Sequence, residues 1–135
     1  MERIEYTKWL RTDEDRHHNC CQSMLMSFAG EMGLTEEQAF QLGANMGAGM
    51  RTGATCGVIT GALLALGAMG YTEKESRAFL KDFLEKHGTM ACVELLTWAK
   101  EHGVKKKEFC DGLVLDGVTR VEELTGAAEQ KSNRS

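Results

Sequence analysis

No stretch of this chain alternates apolar and polar residues strictly, and no proline occurs anywhere in it. Half-buried strands are thereby disfavoured, and the remaining apolar spacing is helical. Glycines and Ser/Thr caps divide the sequence into blocks. One runs roughly from Arg16 to Met32, with Cys20, Met24, Phe28 and Met32 at helical spacing, and Gly33 stops it. Thr35-Glu36-Glu37-Gln38 reads as a capping box that opens a second block ending near Met46. A glycine-rich loop, Gly47 to Thr55, precedes a small-residue helix from about Cys56 to Met69. Thr72-Glu73-Lys74-Glu75 reads as a second capping box, before an amphipathic helix with Phe79, Phe83 and Leu84 inward. Gly88 ends that helix, Thr89 is placed to cap the next one through Trp98 to His102, and a last helix spans Lys107 to Leu124. The first dozen residues add a short helix. The expectation is an all-α, single-domain bundle of about five to six helices over residues 1–128, with a flexible tail at 129–135.

A chain of 135 residues is long enough to build a hydrophobic core without disulfide staples. Its net charge of −4 lacks the basic footprint of a nucleic-acid binder. The run Lys105-Lys106-Lys107, followed by Glu108, reads as a solvated turn. The start, Met1 to Glu5, has no apolar stretch resembling a signal peptide, and Val58 to Met69 falls short of the ~20 residues a membrane span needs. The expected location is the cytoplasm, with no membrane insertion. Thiols there stay reduced unless they are catalytic or metal-bound, so five cysteines are not expected to form structural disulfides.

Four of those cysteines, Cys20, Cys56, Cys92 and Cys110, fall one to each of four predicted helices. Three lie near a helix start, where unpaired N–H groups favour the thiolate, the form that attacks disulfides and binds metals. Cys56 is the best placed of them, directly after the glycine loop. Gly57 and Gly61, one turn apart, allow another helix to approach closely. Cys21 points about 100° away from Cys20 on a helix and is assigned to packing. There is no CxxC pair and no CxxCH motif, so neither a standard zinc ribbon nor covalent c-type haem is indicated.

These cysteines carry a resemblance. Asn19-Cys20, the glycine loop Gly47 to Gly53, Cys56-Gly57-Val58-Ile59-Thr60-Gly61, Cys92-Val93-Glu94-Leu95-Leu96 and Cys110 together resemble the C_GCAxxG_C_C family of redox-active proteins. The likeness runs from His18 to about Leu124. Val58 departs from it, standing where the signature has alanine and adding bulk beside Cys56. The resemblance implies a helical domain in which the four cysteines converge, and a redox role. Similar domains also look related to part of the split-Soret cytochromes, where cysteines hold an iron–sulfur centre beside haem.

Three functions follow as expectations. The first is an electron-transfer protein whose Cys20, Cys56, Cys92 and Cys110 hold a metal or an iron–sulfur cluster, most simply [2Fe–2S]. The second is a thiol–disulfide oxidoreductase with Cys56 as nucleophile and one of the other three as resolving thiol, needing no cofactor. The third is a non-catalytic helical module stabilised by zinc at the same thiols. The expected partner is a redox protein, and glycine-rich helix faces would also suit a homodimer. His17 and His18 are secondary candidates beside Cys20, while His87 and His102 fit helix C-termini. Arg51 in the glycine loop does not make a phosphate site, because no Gly-Lys-Ser/Thr ending is present. The eight methionines are assigned to core filling.

Overall fold

Local capping chemistry accounts for most helix boundaries in the computed structural model, which describes residues 2–126. The expected tail at 129–135 lies outside them. Eight α-helices follow in order: α1 (Arg3–Thr12), α2 (Cys20–Ser27), α3 (Ala29–Met32), α4 (Glu36–Gly43), α5 (Gly57–Ala68), α6 (Lys74–His87), α7 (Cys92–Glu101) and α8 (Lys106–Thr125). A 3-10 turn, Ala44–Met46, and a wide π-type turn, Gly49–Gly53, join α4 to α5. The described residues contain no strand, only one isolated antiparallel bridge between Thr55 and Ala91. None of these helices is long and apolar enough to cross a membrane.

The helix count exceeds the expected five to six partly because the first block divides in two. α2 begins at Cys20, not Arg16, since Asn19 accepts from the Gln22 N–H while the Gln22 side chain accepts from the Asn19 N–H. It ends at Phe28 because the Ser27 carbonyl is taken by Arg3 Nε at 2.9 Å. The Ser23 and Ser27 hydroxyls also donate back to the carbonyls one turn earlier, which bends helices. The Thr35 capping box forms as expected, and Gly33 adopts the left-handed conformation that closes α3. The Thr72 box does not form. Glu73 occupies the N-cap at φ 49° without a side-chain cap, because Gly70 and Tyr71 close the preceding helix by donating to Gly67 and Leu66 carbonyls. Leu84 is also turned outward, 46% exposed, being a 100° step from buried Phe83.

α2 is the axis of the molecule. Every residue from Cys21 to Ser27 is buried, under α1, α4, α5 and α8. Met24 and Phe28 join a core with Val58, Ile59, Ala62, Leu66, Phe79, Val114 and Val118, while Cys21, Leu25 and Met26 pack with Leu10 and Ala39. Missing side chains set how closely these helices approach. A Cβ on Gly57 would stand 2.9 Å from the Cys21 nitrogen, and one on Gly61 would stand 2.6 Å from Met24 Cβ. On α8, a Cβ at Gly117 would lie 2.5 Å from Val58 Cγ1. The extra bulk of Val58 is therefore received by the absence of a side chain at Gly117.

This pairing is directly measurable. Gly117→Ala should destabilise by about 1–3 kcal/mol through overpacking. Gly112→Ala in the same helix, where a Cβ would meet nothing within 4 Å, should instead stabilise by up to ~1 kcal/mol through helix propensity. In a double-mutant cycle read by denaturant unfolding, Val58→Ala should recover part of the Gly117→Ala loss. Strict additivity would show that the two residues do not share this space.

Candidate thiol site

Two chain entries are tied together before the site is built. The Cys56 N–H donates to the Met90 carbonyl at 2.9 Å, and the Cys92 N–H donates to the Ala54 carbonyl at 2.5 Å. The Thr55–Ala91 bridge thus sets Cys56, the N-cap of α5, beside Cys92, the first residue of α7. The glycine loop passes against this pair. Ala48, Met50 and Arg51 all take positive φ, and a Cβ on Gly49 would stand only 2.7 Å from Cys92 Cβ. Arg51 donates to Asn45 Oδ1 at the surface.

Cys20 opens α2, and the missing side chain of Gly57 leaves room for its Cβ, which would otherwise be 3.2 Å away. The thiol of Cys110, in the second turn of α8, is the neighbour that most affects its acidity. Cys56 lies in the electrostatic range of Cys20, Cys92 and Cys110, and Cys92 in that of Cys110. Cys20, Cys92 and Cys110 are half-buried; Cys56 is only 4% exposed.

The acidity of the four thiols follows from these surroundings. Cys110 is lowered to about 7, first by the hydrogen bond from Cys20 and then by the Arg11 and Lys106 cations, against the opposing effects of burial and Asp111. Cys20 is correspondingly raised, first by its interaction with Cys110 and then by its partial burial. Burial also raises Cys92, while it pushes Cys56 up to about 11. The expectation of an ionised Cys56 at a helix start therefore needs correction. The Val58 and Ile59 N–H groups do reach the Cys56 sulfur and lower its pKa, but desolvation outweighs them. The acidic thiol is Cys110, which is not at a helix terminus.

The remaining candidates do other work. Cys21 is fully buried in the second core cluster. His18 is buried, with Nδ1 2.9 Å from the Leu10 carbonyl and its ring edge-on to Phe40. His87 lies tilted against Phe83 within α6, and His102 stacks on Trp98 at the far end of α7 from Cys92. Sequence reasoning missed Arg11. Its guanidinium donates to the His18 carbonyl at 2.8 Å, Ser23 Oγ at 3.2 Å and Asp111 Oδ1 at 2.7 Å. In sequence it is only a cation in the last turn of α1, a placement the helix dipole already explains.

As a donor set, four cysteines suit a thiophilic metal or an iron–sulfur cluster. Among the described residues, however, no three His, Cys, Asp or Glu side chains are grouped closely enough to hold a metal ion. The arrangement as it stands is an interacting pair of thiols, Cys20 and Cys110, with two further thiols in its field.

The fold is an all-α domain that brings a cysteine from each of α2, α7 and α8, and Cys56 at the N-cap of α5, within electrostatic range of one another. The chain belongs to the C_GCAxxG_C_C family, whose model, described as "Putative redox-active protein (C_GCAxxG_C_C)", matches residues 18–124. Comparison with curated proteins gave no match, and neither did comparison with solved structures.

Thiol alkylation followed by mass spectrometry should report this hierarchy. Cys110 should react first, with a midpoint near pH 7, while Cys56 and Cys21 stay unmodified until the protein unfolds. Cys20→Ala removes the hydrogen bond that stabilises the Cys110 thiolate, so that midpoint should rise towards the ordinary value of about 8.5. An unmoved midpoint would mean that the two thiols are not paired in solution.

Proposed function

We propose that the protein is a redox protein whose working group is the Cys20–Cys110 dithiol, exchanging electrons with disulfides on a partner protein. The observation that supports this reading is the facing placement of Cys20, at the start of α2, and Cys110, in the second turn of α8, an interaction that lowers Cys110 and raises Cys20. A pair of this kind suits thiol–disulfide exchange, with one sulfur ionised near neutral pH and a second within reach to resolve the intermediate. Cys110 Sγ, as thiolate, attacks one sulfur of the partner disulfide. That S–S bond breaks, and the other partner sulfur leaves as thiolate and takes a proton from solvent. Cys20 then gives up its proton and attacks Cys110 Sγ. The Cys20–Cys110 bond closes, the partner's second sulfur leaves as thiol, and two electrons have passed to the partner. A reducing compartment such as the cytoplasm would return the pair to the dithiol. Buried Cys56 and half-buried Cys92 lie in the electrostatic range of the pair, and their own raised pKa values favour the neutral thiol there.

A second reading is favoured by the origin of the thiols in four separate helices, within electrostatic range of one another. Cys20, Cys56, Cys92 and Cys110 would then hold an iron–sulfur cluster, which when bound supplies one-electron transfer. The thiols would have to draw together to do so, since no three of them are collected at coordinating distance.

Protein purified without oxygen, analysed for iron, zinc and acid-labile sulfide and then equilibrated in glutathione redox buffers, separates these readings. The dithiol reading expects a metal-free protein and a reversible disulfide mapped to Cys20 and Cys110, retained in Cys56→Ser. About two irons with matching sulfide, lost in Cys56→Ser together with the visible spectrum, would replace it with the cluster. Zinc without sulfide, with loss of helix on chelation, would leave a structural module in place of a redox protein.

A further inference from the structure

The family match begins at residue 18, yet an element before it reaches the thiol pair. α1 is anchored at one end by buried Arg3, which donates to the Ser27 carbonyl and pairs with Glu31 and Glu122. At its other end Arg11 has only 8% of its side chain exposed, which is unusual for an arginine unless its donors are used. They are used on both flanks of the dithiol. Nη1 binds the His18 carbonyl and Ser23 Oγ, two residues before and three after Cys20. Nε binds Asp111, the residue following Cys110. One planar fork therefore spans the two chain segments that carry the paired sulfurs.

Charge accompanies the geometry. Asp111 also accepts from Lys107 Nζ at 2.9 Å, so one carboxylate faces two cations and cannot cancel both. Lys107 Nζ further donates to the Arg11 carbonyl at 2.6 Å, tying α8 to the end of α1. Lys106 adds a third positive charge near Cys110 and Cys92. Resting on the redox reading above, we infer that Arg11 is a positioning residue, which holds Cys20 against Cys110 and sets the reduction potential of the pair through its positive charge. A cation at this place stabilises the thiolate, hence the reduced form, and makes the couple more oxidising. Asp111 opposes it.

Full-length protein in a series of glutathione buffers, with the Cys20–Cys110 disulfide quantified after acid quenching and alkylation, tests this. Arg11→Gln should shift the thiol–disulfide equilibrium on the order of tenfold towards the disulfide, about 30 mV more negative. Arg11→Lys should keep most of the wild-type value. Asp111→Asn removes the opposing charge and should move the equilibrium the other way. Thermal unfolding and helix content identify any variant that fails to fold, in which case Asp111→Asn alone still reports the sign. A folded Arg11→Gln with an unchanged equilibrium, or a shift of Arg11→Gln and Asp111→Asn in the same direction, would overturn the role of Arg11 while leaving the dithiol intact. Wild-type protein that forms no such disulfide in any buffer would overturn the redox reading, and this inference with it.

Discussion

α2 and α5 touch backbone to backbone because α5 offers no side chain at Gly57 and Gly61, and the remainder of the site hangs on that contact. With Gly57 against the Cys21 nitrogen and Cys20 Cβ, the start of α2 is brought against the start of α5, where Cys56 sits. Gly61 admits Met24, which in turn lies against Gly117 of α8 with Val58. The three helices that supply Cys20, Cys56 and Cys110 are therefore spaced by one set of missing side chains. Close packing of this kind transmits small volume changes, because interiors are as dense as organic crystals. A methyl group added at any of these glycines would separate thiols as well as helices.

At the thiols themselves two opposing effects of known origin meet. Helix starts offer N–H groups that favour a thiolate, and burial favours the neutral thiol. Cys56 experiences both, and its 4% exposure decides the outcome in favour of the neutral form. Cys110 lacks a helix start, yet a hydrogen bond from a neighbouring thiol and two cations outweigh its partial burial. The site is thus asymmetric. The surroundings lower Cys110 and raise Cys20, Cys56 and Cys92.

The C_GCAxxG_C_C family match spans the cysteines and the glycine loop, which runs past Cys92 in left-handed conformations. It does not account for α1. That helix is held by two buried arginines, whose cost of desolvation is met by carboxylates and carbonyls on α2, α3 and α8. The matched segment is consequently clamped from outside by the preceding one.

The sequence by itself determined the all-α class, the Thr35 capping box, the glycine stops at Gly33 and Gly88, and the close approach at Gly57 and Gly61. These are readable because they depend on neighbours within one or two turns, or on a spacing that survives in the chain. The division of the first block at Phe28, the uncapped start of α6 and the outward turn of Leu84 were decided elsewhere. Each arises from a partner distant in sequence or from the rotation of a helix on its neighbours, as when Arg3 takes the Ser27 carbonyl from 24 residues away. The choice of Cys110 over Cys56 as the acidic thiol belongs to the same category. Acidity is set by what surrounds a sulfur in space, and only the tertiary structure brings Cys20 and Arg11 to Cys110 while closing the core over Cys56.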